Sequence, residues 1–327
     1  MTAVSATDVA VEYETSRGAV RALDGATLHV AAADVLGIVG ESGSGKSTLA
    51  AALAGLLPAN ANVAAGRIEI AGRAVNDMPP ADRLTLRRHG LGFVFQDPVA
   101  TLDPTARIGR QVRWQLGRQT SDAQLRELLV RVGLQDAAKV LEAYPHQLSG
   151  GMAQRVSIAM ALAKSPALVI ADEPTASLDA SVRLGIMELL VSQCRDAGAT
   201  VVLLTHDLRA VRRFCNTVAV MYGGRVVETG TVGSVFSAPA HPYTRAIIDA
   251  EPGFEGPDEV LKPIPGRPPI LVGEVTGCAF EARCVRSDHD TCASRRPSPE
   301  GHPNLALCHF PLTASVARVE RPTRSAP

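Results

Sequence analysis

The sequence predicts an α/β fold with a mostly parallel sheet, on three observations. Predominantly apolar runs at residues 35–39, 168–171 and 200–204 have the length and composition of strands buried on both faces. Each run ends in glycine or in polar residues, and in doubly wound sheets that edge is where ligands bind. The first run leads through a glycine-rich loop into an apolar stretch at residues 47–57 that suits a helix.

The glycine-rich loop matches the phosphate-binding pattern G-x-x-x-x-G-K-S. Its glycines let backbone N–H groups curl around phosphates, and the following helix N-terminus adds a favourable partial charge. Lys46 is expected to reach the β- and γ-phosphates of ATP, and the Ser47 hydroxyl to bind Mg²⁺. A glycine-rich turn that binds nothing is the alternative, and the flanking strand and helix argue against it. The predicted nucleotide contacts are Gly40, Ser42, Gly43, Ser44, Gly45, Lys46, Ser47 and Thr48.

Other strand ends bring polar side chains to the same edge of the predicted sheet. Asp172 and Glu173 follow the second run, His206 follows the third, and Gln96 follows an apolar run at residues 92–95. Asp172 suits the surroundings of Mg²⁺, and Glu173 suits a base that polarises the attacking water. Each residue alone is compatible with a solvated strand end. Their convergence on one phosphate site is the more specific pattern.

With these residues in place, the chain resembles an ATP-binding subunit of ABC transporters, and specifically the dipeptide/oligopeptide importer family. The resemblance runs from about Val11 to Cys308, with Ala153 and Ala176 as departures from the pattern of many relatives. The matching segments are the phosphate loop at 39–47, the Q-loop at 95–98, the LSGGM signature and its helix at 148–156, the Walker B strand at 170–175, the D-loop at 177–179, the switch histidine segment at 205–208, and C-terminal motifs at 241–246 and 277–284.

The resemblance implies an ABC-type P-loop nucleotide-binding domain at residues 1–236. Its parts would be a RecA-like core, an antiparallel β part formed by segments 9–13, 27–30 and 67–70, and a helical subdomain at about 97–155. Residues 237–327 would form a small cysteine-containing extension that ends in a frayed tail. Within the extension, the proline-rich stretch at 262–269 predicts a stiff extended linker.

The resemblance also assigns roles that spacing alone does not supply. Tyr13 would stack on adenine, with an ordinary strand aromatic as the alternative. Gln96 would contact Mg²⁺ together with Ser47 and Asp172, and would link the metal to a membrane partner. His206 would act as the switch histidine in hydrolysis.

The signature implies a nucleotide site shared between two subunits. Ser149, Gly150 and Gly151 would open a helix whose N-terminus points at the γ-phosphate held by the other subunit. Asp179, in the D-loop, is assigned to the nucleotide site as well. Met152 after the two glycines resembles the D-type subunit, which pairs with a distinct second ATPase. A heterodimer is therefore expected, with a homodimer as the alternative.

Composition and length agree with a peripheral subunit of a transporter. The 327 residues carry no net charge, so nothing suggests a nucleic-acid partner. No run approaches 18 apolar residues, and the N-terminus lacks a leader pattern. The resemblance implies a location at the cytoplasmic face of the bacterial inner membrane, with two integral permease subunits and an extracytoplasmic solute-binding protein as partners.

Peptides are the expected cargo, and nickel, metal chelates or another solute are alternatives. A rival of another class is a soluble ABC ATPase of DNA repair or translation. That class needs a long coiled-coil insertion or two cassettes in tandem, and the sequence has neither. A redox-sensing module with a vestigial ATPase is disfavoured because every hydrolytic position is present.

Four cysteines fall together in the extension, at Cys278, Cys284, Cys292 and Cys308. The segment has little apolar material, and a segment without a core commonly needs a metal or a staple to fold. Four thiolates suit Zn²⁺ or a 4Fe-4S cluster, and disulfides are disfavoured in the cytoplasm. The lack of C-x2-C pairs favours the cluster, as does the resemblance. Zinc and the absence of any metal remain alternatives.

Overall fold

The computed structural model describes residues 2–16, 18–254, 262–269, 273, 275–301 and 304–312. The predicted frayed tail at 313–327 lies outside these residues. The strands are β1 (Thr2–Thr15), β2 (Gly18–Ala31), β3 (Val35–Val39), β4 (Ala61–Ile70), β5 (Arg73–Ala74), β6 (Leu91–Val94), β7 (Leu168–Asp172), β8 (Thr200–Leu204), β9 (Thr217–Tyr222), β10 (Arg225–Thr231), β11 (Pro299–Gly301) and β12 (Leu305–Leu307).

Helices connect these strands, and short 3-10 helices lie at Pro145–Gln147 and Glu281–Arg283. No helix within the described ranges has both the length and the apolar character needed to cross a bilayer. The α-helices are α1 (Lys46–Ala54), α2 (Pro80–His89), α3 (Pro98–Thr101), α4 (Ile108–Leu116), α5 (Asp122–Arg131), α6 (Ala137–Glu142), α7 (Gly150–Leu162), α8 (Ala180–Asp196), α9 (Leu208–Phe214), α10 (Val232–Ser237), α11 (Pro242–Ala250) and α12 (His289–Ser294).

The central sheet has the strand order β11-β12-β10-β9-β3-β8-β7-β6. Strands β9, β3, β8, β7 and β6 run parallel, and β10, β12 and β11 continue the sheet in antiparallel pairing. Strands β3 and β8 are buried at every residue because the sheet is covered on both faces. This architecture confirms the predicted α/β fold class.

Alternating side chains of the parallel strands enter two separate cores. Val201 and Leu203 of β8 pack in the core that contains α7 and α8. Val202 and Leu204 pack in the opposite core, against α1 and the antiparallel sheet. This two-sided burial explains why the strands are apolar without alternation. Helix α1 ends at Ala54, earlier than predicted, because Gly55 takes a left-handed φ of 63° and closes the helix.

The antiparallel sheet has the strand order β2-β1-β4-β5. The predicted segments 9–13, 27–30 and 67–70 lie in β1, β2 and β4. Pairing extends further than predicted because the strands continue through register shifts, one of them beside Asp8, whose φ is 50°. The apolar alternation is interrupted there, although the backbone pairing resumes on the far side.

Helices α3 to α6 lie between β6 and α7, where the sequence predicts a helical subdomain. Leu125, Leu128, Leu129 and Val132 are buried in the same core as α7 and α8. Their helical spacing therefore reflects packing against this core. The helix itself begins with a capping box in which the Ser121 hydroxyl accepts from the Gln124 backbone N–H.

The C-terminal extension packs directly on the nucleotide-binding part. Gly223 and Gly224, with φ of 51° and 70°, form the hairpin turn between β9 and β10. Strand β12 of the extension then pairs with β10. Beside this pairing, the buried Glu228 carboxylate accepts from the backbone N–H groups of residues 240 and 241, and from the Asn304 amide, each at 2.8 Å. Burial raises the pKa of Glu228, and these hydrogen bonds oppose the shift.

Candidate active site

A cavity of about 910 Å³ opens where β3, β6, β7 and β8 end. It gathers side chains from the phosphate loop and from three further strand ends, as the sequence predicts for ligand sites of doubly wound sheets. The site residues that line it are Ser42, Gly43, Gly45, Lys46, Ser47, Thr48, Gln96, Glu173 and His206. Gly40 and Ser44 belong to the same loop, whose closed conformation they shape.

Two glycines of the phosphate loop, Gly40 and Gly45, lie where a larger residue has no room. A Cβ at Gly40 would lie 2.2 Å from the Met221 carbonyl oxygen, and one at Gly45 would lie 2.8 Å from the Ala22 carbonyl oxygen. Gly45 also has a φ of 102°, which glycine adopts readily. The buried Ser44 hydroxyl has no hydrogen-bond partner in the described structure. A phosphate oxygen would supply that partner.

Lys46 folds back onto the loop that precedes it. Its Nζ donates to the Gly40 carbonyl at 2.7 Å and to the Glu41 carbonyl at 3.1 Å. Burial lowers the pKa of Lys46, and the nearby carboxylates of Glu173 and Asp172 oppose that shift. A bound polyphosphate would raise the pKa of the Lys46 ammonium group, as the carboxylates do. The charged form therefore suits an anion bound in the loop.

Asp172 and Ser47 form the group that fits Mg²⁺. Burial raises the pKa of Asp172, and a hydrogen bond with the Ser47 side chain opposes this. The buried Asp172 Oδ1 has no partner within the described residues. A carboxylate oxygen of this kind beside a hydroxyl is suited to a hard cation that keeps several waters. Gln96 lines the same cavity, and the Ser177 hydroxyl donates to its backbone carbonyl at 3.4 Å.

Glu173 and His206 meet at the open side of the cavity. His206 Nδ1 and Glu173 Oε2 are 2.7 Å apart. The Glu173 backbone has a φ of 44°, a left-handed conformation that is uncommon for this residue type. Its N–H donates to the Leu204 carbonyl at 2.9 Å, which ties the end of β7 to the end of β8. The neighbouring strand therefore fixes where the Glu173 carboxylate points.

Tyr13 and the four predicted nucleotide contacts beyond the phosphate loop lie outside this cavity. The Tyr13 hydroxyl lies 3.3 Å from the Thr48 hydroxyl, and its cross-strand partner Val20 lines the cavity. At the start of the signature helix, the Ser149 hydroxyl caps α7 by accepting from the Met152 N–H at 3.3 Å. The outlying residues, apart from Tyr13, are Ser149, Gly150, Gly151 and Asp179. Their predicted role is in a site shared with another subunit, so their position here is compatible with it.

Sequence reasoning missed the residues of the extension that line the nucleotide cavity or contact the phosphate loop. Arg267, Pro268 and Pro269, from the predicted linker, line the nucleotide cavity. Arg283 forms an ion pair with Glu41 of the phosphate loop. No spacing or periodicity indicates these contacts, because the partners lie far apart in the chain. A proline-rich stretch with one arginine is equally typical of an exposed linker.

The four cysteines of the extension line one small pocket, and His241 lies against it. Its cavity volume of about 10 Å³ has room for roughly one water molecule. Within the described ranges, no group of three or more His, Cys, Asp or Glu side chains is arranged to hold a metal ion. The sequence correctly places the four thiols together, and their present arrangement does not support the predicted 4Fe-4S cluster. Burial raises the pKa of Cys308 to about 12.

Fold and site together define an ATP-binding cassette ATPase of the ABC transporter class. A family model described as "ABC transporter" matches residues 23–176. A second, described as "Oligopeptide/dipeptide transporter, C-terminal region", matches residues 227–292. The dimeric post-hydrolysis structure of the cassette MJ0796 with ADP and Pi has a TM-score of 0.62 and 30% identity. The match covers 70% of this chain and 98% of the MJ0796 chain.

Curated relatives match almost the whole chain. The oligopeptide transport ATP-binding protein OppD of Escherichia coli is 40% identical over 93% of this chain and 92% of its own length. OppD of Haemophilus influenzae is 42% identical over 91% of this chain and 94% of its own length. The dipeptide transport ATP-binding protein DppD of Escherichia coli is 38% identical over 89% and 91%. The chain belongs to the oligopeptide/dipeptide family of ABC transporter ATP-binding proteins.

Proposed function

We propose that this chain is the ATP-hydrolysing subunit of a bacterial importer for dipeptides or oligopeptides. The observation that carries the proposal is the Glu173–His206 contact beside the phosphate loop, in a chain whose residues 227–292 match the transporter C-terminal region. It acts at the cytoplasmic face of the membrane with two permease subunits. An extracytoplasmic solute-binding protein delivers the cargo to the complex. A second ATPase, distinct from this chain, completes the pair.

The chain's own residues divide the work of hydrolysis. Lys46 and the loop N–H groups bind the phosphates of ATP, while Ser47, Asp172 and Gln96 would hold Mg²⁺. That ion supplies neutralising charge between the phosphates when it is bound. Glu173 accepts the proton of the attacking water, and His206 keeps the carboxylate in place through its Nδ1 contact. Tyr13 stacks on the adenine.

The permease contact is proposed to lie around Gln96. Phe95 and Val99, which lie close to Gln96 along the chain, expose 40% and 41% of their surface. Phe95 also borders a cleft of about 260 Å³ between β6 and α7. Exposed aromatic and aliphatic side chains next to a catalytic loop are typical of a protein contact. We assign this surface to a cytoplasmic helix of the permease, since that occupant would connect membrane movement to Gln96.

Uptake by a strain that lacks this chain tests the function. Wild-type protein is expected to restore uptake of a labelled dipeptide and a labelled pentapeptide, and Lys46→Ala to restore neither. Exposed Lys139, replaced by Ala, is the control and should restore both. Loss of nickel uptake with normal peptide uptake would assign a different cargo. Full solubility with stimulation by DNA would support the soluble rival.

We also propose that Cys278, Cys284, Cys292 and Cys308 hold a 4Fe-4S cluster, with Zn²⁺ as the alternative. The support is the donor set, because four thiols line one pocket in a segment with few apolar residues. The cavity is smaller than a cluster, so loading requires the four side chains to rearrange. No step of ATP hydrolysis is attributed to the cluster.

Anaerobic purification distinguishes the alternatives for the cysteine site. Protein with the cluster is expected to be brown, to absorb in the visible blue, and to contain iron and sulfide. Cys284→Ser should bleach it, whereas Cys215→Ser, outside the pocket, should leave the colour unchanged. Colourless protein with one zinc per chain would replace the cluster by zinc. Colourless protein without metal would reject both.

A further inference from the structure

Arg283 connects the cysteine segment to the phosphate loop. It ends the 3-10 helix between Cys278 and Cys284, and its side chain is 6% exposed. Its Nη1 and Nη2 donate to the two carboxylate oxygens of Glu41 at 2.6 and 3.1 Å. Nη1 also donates to the Tyr222 hydroxyl at 3.1 Å. The guanidinium thus makes a bidentate pair with a residue 242 positions earlier in the chain.

Two further contacts fix the direction of Arg283 and of its partner. Arg283 Nε donates to the Pro265 carbonyl at 2.6 Å, so all three guanidinium nitrogens are engaged. The Glu41 backbone N–H donates to the Tyr243 hydroxyl at 2.8 Å. The C-terminal region therefore holds Glu41 by its side chain and by its backbone. The loop is braced from outside the nucleotide core.

Glu41 in turn contacts the lysine that binds phosphate. Its carbonyl accepts from Lys46 Nζ at 3.1 Å. A negatively charged side chain at this position would also repel the phosphates of ATP if it were unpaired. Arg283 removes that repulsion, because its charge is fixed against both carboxylate oxygens. The brace has two physical effects: it orients the loop, and it neutralises Glu41.

We propose that Arg283 is a positioning residue for ATP binding, through which the C-terminal extension sets the affinity of the phosphate loop. Arg283 acts through Glu41 and the loop. The proposal depends on ATP binding by this site. It does not depend on the transported solute or on a metal at the cysteines.

Equilibrium binding of a fluorescent ATP analogue to the full-length chain tests the brace. Arg283→Met is expected to raise the dissociation constant about tenfold, a common size for coupling between two sites. In the assembled transporter the same change should raise KM for ATP and leave kcat within about twofold. The reason is that the brace supports ATP binding equally in the ground state and in the transition state. Arg286→Met is the matched control, since the exposed Arg286 flanks the same Cys284.

A second substitution separates neutralisation from simple docking. In Arg283→Met the Glu41 carboxylate is unpaired, so adding Glu41→Gln should recover at least half of the lost binding free energy. If Arg283 only attached the extension to the nucleotide core, adding Glu41→Gln would bring no such recovery. If Arg283→Met fails to fold, Arg283→Lys keeps the charge without the bidentate geometry, and should weaken binding about threefold.

Three results would overturn the proposal. One is an unchanged dissociation constant in folded Arg283→Met or Arg283→Lys protein. Another is an equal loss of affinity in Arg286→Met. The third is a Glu41→Gln/Arg283→Met protein that binds more weakly than Arg283→Met alone. None of these results bears on whether Glu173 hydrolyses ATP or which solute is carried, so they leave the proposed function untouched.

Discussion

At the scale of single residues, the proposed hydrolytic site contains one strained backbone position. Glu173 adopts a φ of 44°, which costs of order 1–3 kcal/mol for a residue other than glycine. The hydrogen bond from its N–H to the Leu204 carbonyl and the adjacent buried strand hold it there. A side chain that pointed elsewhere would not meet His206. The strain is therefore coupled to the direction of the carboxylate.

Glu173→Gln isolates the proton-accepting role of this carboxylate. The amide has almost the same size, so the backbone and ATP binding should be preserved, while hydrolysis should fall by about 100-fold or more. ATP should then hold the protein in a closed dimer, which gel filtration with ATP would detect in the presence of its partner subunit. Exposed Glu188→Gln is the control. Normal hydrolysis by the Glu173→Gln protein would refute the assignment of the base.

At the scale of elements, a buried ion pair inside the nucleotide core also binds a backbone carbonyl of the extension. Arg225 donates to Asp24 Oδ2 through Nε and Nη2 at 2.8 and 2.5 Å, and through Nη1 to the Gly277 carbonyl at 2.6 Å. The two side chains are 2% and 0% exposed. Burial lowers the pKa of Arg225, and the Asp24 carboxylate opposes that shift. Arg21 and Arg296 also lie 3.3 and 3.9 Å from Asp24.

This arrangement predicts unequal effects of removing the two partners. Asp24→Asn should lower the free energy of unfolding by about 3–5 kcal/mol, because the buried Arg225 loses its counter-charge. Arg225→Met should lower it by less, since Arg21 and Arg296 still face the carboxylate. The double variant should be more stable than the sum of the two losses predicts. Urea unfolding monitored by circular dichroism measures all three. Equal and additive losses would show that the pair is not coupled.

The same elements show what sequence reasoning can and cannot predict. Strand β8 was predicted because apolar residues on both faces leave a continuous signal, and the phosphate loop because its glycines are needed at fixed spacing. The Arg225 and Arg283 pairs were not predicted, because an arginine carries no periodic signal and is usually exposed. Their partners are 201 and 242 residues away. Only the fold brings those charges together.

At the scale of the whole molecule, the signature helix α7 begins away from the nucleotide cavity of its own chain. The exposed start of α7 at Gly150 does not line the cavity that contains Lys46. The N-terminus of this helix carries a partial positive charge, which suits a phosphate presented by another subunit. Leu178 and Val182 pack within 3.3 and 3.1 Å of where a Cβ would stand on Gly150 and Gly151. The two glycines therefore let α7 and α8 lie close together at that exposed end.

The expected consequence is that the isolated chain hydrolyses ATP poorly. Purified alone, it should elute mainly as a monomer, because no partner subunit is present whose nucleotide site the signature helix could complete. Co-expression with the second ATPase subunit should give an ATP-dependent dimer and a clear rise in hydrolysis. Gly150→Asp should abolish that rise while ATP binding by this chain persists, since a carboxylate at the helix start repels the partner's γ-phosphate. Lys139→Ala serves as the control. Strong hydrolysis by the isolated chain with a Hill coefficient near two would establish a homodimer in place of the heterodimer.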